Sequence, residues 1–168
     1  TLKAMNRRYT AKEYEACCRI LRKYYDRPAL TTDVITGFPG ETEEDFEESR
    51  SFVERIGFFE THIFPYSRRE GTKAAAMEGQ LTEAEKKARS RVLLELDQRQ
   101  RKAFLKQFIG ENVEVLLEEE TEADGQIFWT GHTREYLPVL VKAEDGCANK
   151  KMEVRAEKMM GDQYLLCE

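Results

Sequence analysis

The chain has 168 residues, of which 40% are hydrophobic and 35% charged, and a formal net charge of −5. This composition predicts one or two ordinary globular cores and excludes low-complexity classes. No run approaches the roughly 20 apolar residues of a membrane span, and no secretory signal is visible, so we expect a cytoplasmic protein without membrane contact.

Charge is distributed unevenly along the chain. Residues 1–109 contain 21 lysines and arginines against 18 acidic residues, whereas residues 110–168 contain 6 against 14, so the two parts carry +3 and −8. Such a shift indicates a domain boundary, which we place near Gly110.

The four cysteines, Cys17, Cys18, Cys147 and Cys167, show neither CxxC nor CxxxCxxC spacing. Because those spacings hold zinc ions or iron–sulfur clusters, no metal site is predicted among them. We expect reduced thiols, with the adjacent pair Cys17 and Cys18 filling core space from a helix.

That helix is predicted over residues 11–25. Thr10 and Glu13 have capping-box spacing, and apolar residues then recur every three or four positions. The pattern predicts an amphipathic helix with one face on the core.

A strand, a glycine turn and a helix follow one another from Thr31 to Asp45. Thr31–Thr36 is rich in β-branched residues, Gly37–Gly40 (GFPG) can only form a tight turn, and Thr42 with Asp45 opens the next helix. In parallel α/β sheets ligands bind at the carboxyl ends of strands, so this turn is a predicted binding edge. The alternative is an ordinary buried strand and turn without a ligand.

The first helical turn after this strand is acidic, with Glu41, Glu43, Glu44 and Asp45. A phosphate loop needs a lysine and accessible N–H groups, whereas these carboxylates would repel an anion. A neutral or cationic ligand is therefore predicted.

A second strand, predicted over 60–66, begins about 30 residues after the first, which is the length of one β-α-β unit. The helix between them is predicted over 43–56, with Gly57 as its stop. Two parallel strands alone leave edges and faces uncovered, so further strands must come from elsewhere. His62 is interpreted as structural rather than catalytic.

A long helix is predicted over 81–108, opened by a capping box at Thr82 and Glu85. Its predicted packing stripe consists of Ala84, Ala88, Val92 or Leu93, Leu96, Ala103 and Phe104. Its second half is basic, with Arg89, Arg91, Arg99, Arg101, Lys102 and Lys106. We interpret them as a solvated face in preference to an RNA contact.

After Gly110 the hydrophobic period becomes two. Short strands are predicted over 113–117, 127–130, 138–141, 152–156 and 163–166, with turns at Asp124-Gly125, Asp145-Gly146 and Gly161-Asp162. Five short strands predict a small OB-like barrel. Such barrels stack single-stranded bases on aromatic rings beside cations, and the candidates here are Phe128, Trp129, His132, Arg134 and Tyr136. The alternative is that Phe128 or Trp129 plugs the barrel.

Four motifs together carry a resemblance to a known family. They are MNRRYT at Met5–Thr10, TTDVITGFPGET at Thr31–Thr42, HIFPYSRREGTKAAAM at His62–Met77 and GHTREYLPVLV at Gly131–Val141. The chain resembles the radical S-adenosylmethionine methylthiotransferases, and most closely the MtaB type, which acts on threonylcarbamoyladenosine in tRNA. Its last part resembles the TRAM domain of that family.

The resemblance implies an α/β plus all-β fold: the C-terminal portion of a partial TIM-like radical SAM barrel over 1–109, ending in a connecting helix, and a five-stranded TRAM β-barrel over 110–168. It implies an enzyme that adds a methylthio group to C2 of an adenosine next to the anticodon. Members use S-adenosylmethionine and two 4Fe-4S clusters, and the protein positions these groups. The implied partner is the tRNA anticodon stem-loop.

Site residues also follow from the resemblance. The cofactor-binding candidates are Arg7, Asp33, Ile35, Gly37, Glu41, Phe64, Tyr66 and Ser67. The RNA-binding candidates are Arg68, Arg69, Trp129, His132, Arg134 and Tyr136. No residue of this chain is predicted to be catalytic or to bind metal.

The departure from the family pattern is the absence of CxxxCxxC from the sequence. We therefore expect a C-terminal piece of a longer protein that binds no cofactor alone, needs the N-terminal domains of the same chain, and could dimerise through exposed strand edges. Two alternatives stay open: a non-enzymatic RNA-binding or scaffold module, and an unrelated nucleotide-binding α/β domain.

Overall fold

The computed structural model describes residues 1–142 and 146–168, which form two compact units, Thr1–Gln100 and Arg101–Glu168. Residues 101–109 therefore belong to the second unit. The turn predicted at Asp145-Gly146 lies partly outside the described residues. Among the helices of the described ranges, none is long and apolar enough to cross a bilayer.

The first unit is a β-α-β arrangement flanked by two further helices. Its elements are α1 (Ala11–Tyr24), β1 (Thr31–Thr36), α2 (Glu43–Ile56), β2 (Glu60–Pro65) and α3 (Glu83–Leu105), the last of which continues into the second unit. β1 and β2 pair in parallel, with Asp33 opposite His62. The parallel pair predicted from the 30-residue spacing is therefore confirmed.

The helices begin and end where local chemistry predicts. Thr10 and Glu13 form a capping box at α1, and Thr42 and Asp45 form one at α2. α2 ends at Gly57, whose φ of 65° lies in the left-handed region that glycine adopts without steric cost. These predictions from short-range sequence are confirmed.

α1 buries a narrower stripe than predicted. Cys18 is 4% exposed, whereas Cys17 is exposed, as are Leu21 and Tyr25 at 41% and 62%. The prediction that both cysteines fill the core is thus wrong for Cys17, because the small sheet and α2 cover only one side of α1. Burial raises the pKa of the Cys18 thiol, which makes it the less reactive of the two.

The packing face of α3 also differs from the predicted one. Leu93 and Leu96 are buried as predicted, but the alanines at 84, 88 and 103 are exposed. The face instead continues through polar residues that are buried or partly buried: Lys86, Arg89, Ser90, Asp97 and Gln100. These residues bond to the sheet and to α2, which is why apolar periodicity alone misplaced the face.

The two edges of the sheet are chemically different. The Tyr66 N–H donates to the Thr36 carbonyl oxygen at 2.8 Å, so the alternate residues Thr61 and Pro65 direct their main-chain groups away from β1. The Thr61 N–H donates to Asp97 Oδ1 at 2.6 Å, and proline has no N–H. The outer edge of β2 therefore offers no free N–H at Thr61 or Pro65, whereas β1 pairs only with β2 within the described residues.

The second unit is a closed five-stranded barrel. Its strands are β3 (Asn112–Ala123), β4 (Gln126–Thr133), β5 (Pro138–Val141), β6 (Lys151–Met160) and β7 (Tyr164–Cys167), in the spatial order β3-β4-β5-β7-β6. All five predicted strands are present, and most are longer than predicted. The alternating burial of β3 places Val113, Val115 and Leu117 inside.

Gly131 allows the closest approach of β3 and β4. A Cβ atom at this position would overlap the carbonyl oxygen of Leu116, next to an irregularity in the β3–β4 register between Leu117 and Glu120. Backbone atoms cannot yield as a flexible side chain can, so glycine is required by space.

We expect Gly131→Ala to lower the free energy of unfolding of the barrel by about 1–3 kcal/mol through overpacking. Urea unfolding followed by far-UV circular dichroism would measure this change. Gln126→Ala, at an exposed position of the same strand, is the matched control and should change stability little. Equal stability of the two variants would contradict the close-approach interpretation.

Candidate functional site

The carboxyl ends of β1 and β2 lie side by side, at the edge predicted to bind a ligand. The Tyr66 N–H bond to Thr36 joins the two ends. Gly37 and Gly40 have φ values of 69° and 82°, and the Gly37 N–H donates to Glu41 Oε2 at 2.8 Å. The turn therefore folds onto itself, and Gly37 is buried beneath it.

The Glu41 carboxylate is paired inside the protein. Arg89 Nη1 donates to Glu41 Oε2 at 2.5 Å and to the Glu41 carbonyl oxygen at 3.1 Å, while its Nη2 donates to Glu43 Oε2 at 3.1 Å. The side chains of Glu41 and Arg89 are 3% and 11% exposed. The guanidinium also lies 5.3 Å from the centre of the Phe46 ring. Glu41 thus holds the turn in place and presents no free charge.

The remaining acidic residues divide between capping and exposure. Asp45 Oδ2 accepts from the Thr42 N–H at 3.1 Å, and this backbone hydrogen bond holds the pKa of Asp45 below its usual range. Three of the four carboxylates are therefore bonded to protein groups, and Glu44 is exposed. Most of the acidity that suggested a neutral or cationic ligand is therefore paired or hydrogen-bonded within the protein.

A cavity of about 1240 Å³ lies between the N-terminal segment, β1 and α2. It brings together five of the eight predicted cofactor residues: Arg7, Asp33, Ile35, Glu41 and Phe64. The other three, Gly37, Tyr66 and Ser67, do not line it.

The lining of this cavity suits an adenosyl ligand. Phe64 is 51% exposed and can pack on an aromatic base, and the exposed Asp33 carboxylate can accept hydrogen bonds from hydroxyl or amino groups. The Arg7 guanidinium is of the type that binds carboxylates bidentately. These donors, acceptors and apolar surfaces therefore fit S-adenosylmethionine.

α3 supplies contacts to the same edge that sequence reasoning missed. Lys86 Nζ donates to the Tyr66 carbonyl oxygen at 3.0 Å, and Ser90 Oγ lies 2.8 Å from Thr36 Oγ1. Together with Arg89, these residues repeat at helical spacing in line with Leu93 and Leu96. This alignment with the two leucines was the signal in the sequence that could have predicted these contacts. It is recognised only if polar residues are counted as members of a helix packing face.

The loop after β2 carries two of the predicted RNA-binding residues. Arg68 Nε donates to the Ala75 carbonyl oxygen at 3.0 Å, so its side chain braces the loop. Arg69 is exposed. Of the two arginines, Arg68 is bonded to the loop and Arg69 is the remaining candidate for RNA contact.

The aromatic cluster predicted on the barrel separates into buried and exposed members. Phe128 and Trp129 are 2% and 5% exposed, so the expectation that Trp129 offers a stacking face is corrected. Phe128 packs with Leu140 and Leu166 in a separate small cluster. Because neighbouring strand residues point to opposite faces, both rings are covered, each on its own side of β4.

His132 and Tyr136 form an exposed aromatic pair. Their rings stack with centroids 4.4 Å apart and planes 12° apart, and His132 Nδ1 lies 2.9 Å from Glu118 Oε1. Tyr136 is 69% exposed and has a φ of 64°, which is unusual for a residue other than glycine. Arg134 is exposed between them in sequence. This arrangement leaves one face of the Tyr136 ring open for stacking.

No group of three or more His, Cys, Asp or Glu side chains within residues 1–142 and 146–168 is arranged to hold a metal ion. Cys17 and Cys18 lie on α1, and Cys147 and Cys167 belong to the second unit. The described residues therefore do not fit an iron–sulfur cluster, and no metal chemistry is assigned to them.

Comparison with known proteins identifies a family model and curated relatives. Residues 1–53 match the Radical SAM superfamily. The chain is 42% identical over 154 residues to a tRNA-2-methylthio-N(6)-dimethylallyladenosine synthase of Acetivibrio thermocellus, covering 92% of this chain and 32% of the relative. It is 37% identical over 158 residues to the threonylcarbamoyladenosine tRNA methylthiotransferase MtaB of Bacillus subtilis, covering 94% and 35%.

A second MtaB, from Aquifex aeolicus, is 43% identical over 119 residues, which is 71% of this chain and 29% of that protein. The chain thus spans about a third of the length of the curated relatives it matches. Relatives of both the dimethylallyladenosine and the threonylcarbamoyladenosine type occur among them.

Proposed function

We propose that this chain is part of a radical S-adenosylmethionine enzyme that adds a methylthio group to an adenosine next to the anticodon of tRNA. The observation that carries the proposal is the cavity beside β1, which gathers residues of three separate motifs at one site. The similarity to curated tRNA methylthiotransferases over more than nine-tenths of the chain supports it.

In this proposal the first unit binds the adenosyl part of S-adenosylmethionine. Phe64 packs against the adenine, Asp33 accepts hydrogen bonds from the ribose or the amino group, and Arg7 faces the methionyl carboxylate. The bound cofactor supplies the radical chemistry together with iron–sulfur clusters held by other parts of the enzyme. The residues of this chain orient the ligand and exclude water from it.

We further propose N6-threonylcarbamoyladenosine as the nucleoside, modified at C2. This choice rests on the HIFPYSRREGT sequence at 62–72, which resembles the MtaB type. The five-stranded barrel acts as the TRAM domain, and the exposed Tyr136 and Arg134 contact the anticodon stem-loop through stacking and charge.

The function is tested with the full-length protein, reconstituted anaerobically with iron and sulfide. Incubation with S-adenosylmethionine, a reductant and tRNAs that carry N6-threonylcarbamoyladenosine or N6-dimethylallyladenosine but no methylthio group, followed by mass spectrometry of nucleosides, should reveal 2-methylthio-N6-threonylcarbamoyladenosine. Formation of the dimethylallyl counterpart instead would overturn the choice of nucleoside. Absence of any methylthiolated nucleoside from the cluster-loaded enzyme would overturn the reaction itself.

An RNA-binding module without catalytic role is the alternative, favoured by the exposed stack on the barrel. Both functions need the stacked rings of His132 and Tyr136. Tyr136→Ala should therefore weaken the binding free energy of the anticodon stem-loop by about 1–3 kcal/mol, the usual contribution of one base–aromatic contact. Ile127→Ala, at another exposed apolar position of the barrel, is the matched control. Fluorescence anisotropy at fixed salt measures both. RNA binding without S-adenosylmethionine binding by the full-length protein would favour the module.

A further inference from the structure

Lys86 is an unusual residue to find inside this unit. It is 4% exposed, although lysine is among the residues least often fully buried because its charge must leave water. Its ammonium group donates to the Tyr66 carbonyl oxygen at 3.0 Å and to Glu83 Oε1 at 2.5 Å. Burial of this charge is therefore offset by one hydrogen bond at the end of β2 and by one ion pair within α3.

The stem of the same side chain contacts the end of β1. Lys86 Cγ occupies the space that a Cβ atom would need at Gly37, so the glycine turn and the lysine stem are mutually fitted. The ammonium group also lies 5.7 Å from the centre of the Tyr66 ring, which itself packs against Phe38 of the turn with centroids 5.5 Å apart. One side chain thus touches both strand ends at the candidate ligand edge.

Neighbouring residues of α3 reinforce this contact. Ser90 bonds Thr36 Oγ1, and Arg89 holds Glu41 through its carboxylate and its carbonyl oxygen. A hydrophobic residue at 86 could fill the same volume without the cost of burying a charge. Such a hydrophobic residue could not hydrogen-bond the Tyr66 carbonyl oxygen. It would therefore not fix the direction of this carbonyl group or of the main chain that leads into Ser67.

We propose that Lys86 is a positioning residue for the adenosyl ligand, because it sets the main chain where β1 and β2 end. The inference rests on the proposed function, in which that edge receives S-adenosylmethionine. Lys86 is buried behind the edge and does not line the cavity. It acts through Gly37, whose N–H donates to Glu41, and through Tyr66, which follows Phe64 by two residues; Glu41 and Phe64 both line the cavity. Affinity for the adenosyl ligand should depend on the ammonium group of Lys86.

The test compares Lys86→Met with Lys87→Met in the full-length, cluster-loaded protein. Methionine keeps the length and packing of the stem but removes the donor, and Lys87 is the exposed neighbour on the same helix. Calorimetric titration with S-adenosylhomocysteine should show roughly tenfold weaker binding for Lys86→Met, the size of effect that a residue without direct ligand contact can exert. Lys87→Met should bind like the wild type.

Two further measurements distinguish a positioning role of Lys86 from a general contribution to folding stability. Affinity for the anticodon stem-loop and the midpoint of thermal unfolding should change little in Lys86→Met. Unchanged affinity for S-adenosylhomocysteine, or a parallel loss of RNA binding and thermal stability, would overturn the inference. Failure of the wild type to bind S-adenosylhomocysteine would instead count against the proposed function.

Discussion

Replacing Arg89 with methionine should lower the free energy of unfolding of the first unit by about 3–5 kcal/mol, because it leaves a buried carboxylate without its counter-charge. Glu41 is held by the Arg89 guanidinium and by the Gly37 N–H, and only the first of these carries a full positive charge. Urea unfolding of the whole chain, followed by circular dichroism, measures the change.

The control for this prediction is Arg91→Met, an exposed position on the same helix, which should change stability by less than about 1 kcal/mol. The double variant Glu41→Gln with Arg89→Met removes both charges and should recover part of the loss. A double-mutant cycle then gives the coupling between the two residues. Additive effects of the two substitutions would show that the ion pair does not hold the turn.

Leu117→Ala is expected to destabilise the barrel by about 2–5 kcal/mol, because it removes three carbon atoms from the closed core and leaves a cavity. Leu117 is fully buried, whereas its neighbour Leu116 is 38% exposed on the opposite face of β3. Leu116→Ala is therefore the matched control and should cost less than about 1 kcal/mol.

The two stability predictions act on different compact units of the chain. If unfolding occurs in two transitions, Leu117→Ala should shift the transition of residues 101–168, and Arg89→Met the transition of residues 1–100. A loss of equal size in the Leu116 and Leu117 variants would contradict the inside–outside alternation assigned to β3.

Features encoded by neighbouring residues were predicted accurately from the sequence. The capping boxes at Thr10 and Thr42, the stop at Gly57 and the turn at Asp124-Gly125 each depend on a few adjacent positions. The alternation in β3 likewise follows from one strand with a covered and a solvated face. Such signals need no knowledge of the tertiary structure.

Features that depend on partners distant in sequence were not predicted. Arg89 and Glu41 are 48 residues apart, and nothing in either segment indicates that their charges meet. The pairing of the main carboxylate of the acidic turn with Arg89 was therefore not visible in the sequence. The prediction for Trp129 was wrong for a similar reason, since the ring is covered by residues distant in sequence: Trp129 pairs with the buried Val141 of β5, while Phe128 on the other side of β4 packs in the second apolar cluster.

The unequal edges of the small sheet have a consequence for self-association. If copies of the chain are to add to one another strand by strand without end, both edge strands of every copy must have main-chain groups free to pair. Asp97 occupies the outward N–H of Thr61 and Pro65 has no N–H, so a strand added at β2 would make fewer main-chain hydrogen bonds than one added at β1. These two residues therefore make continued growth of such a ladder beyond a pair of copies less favourable.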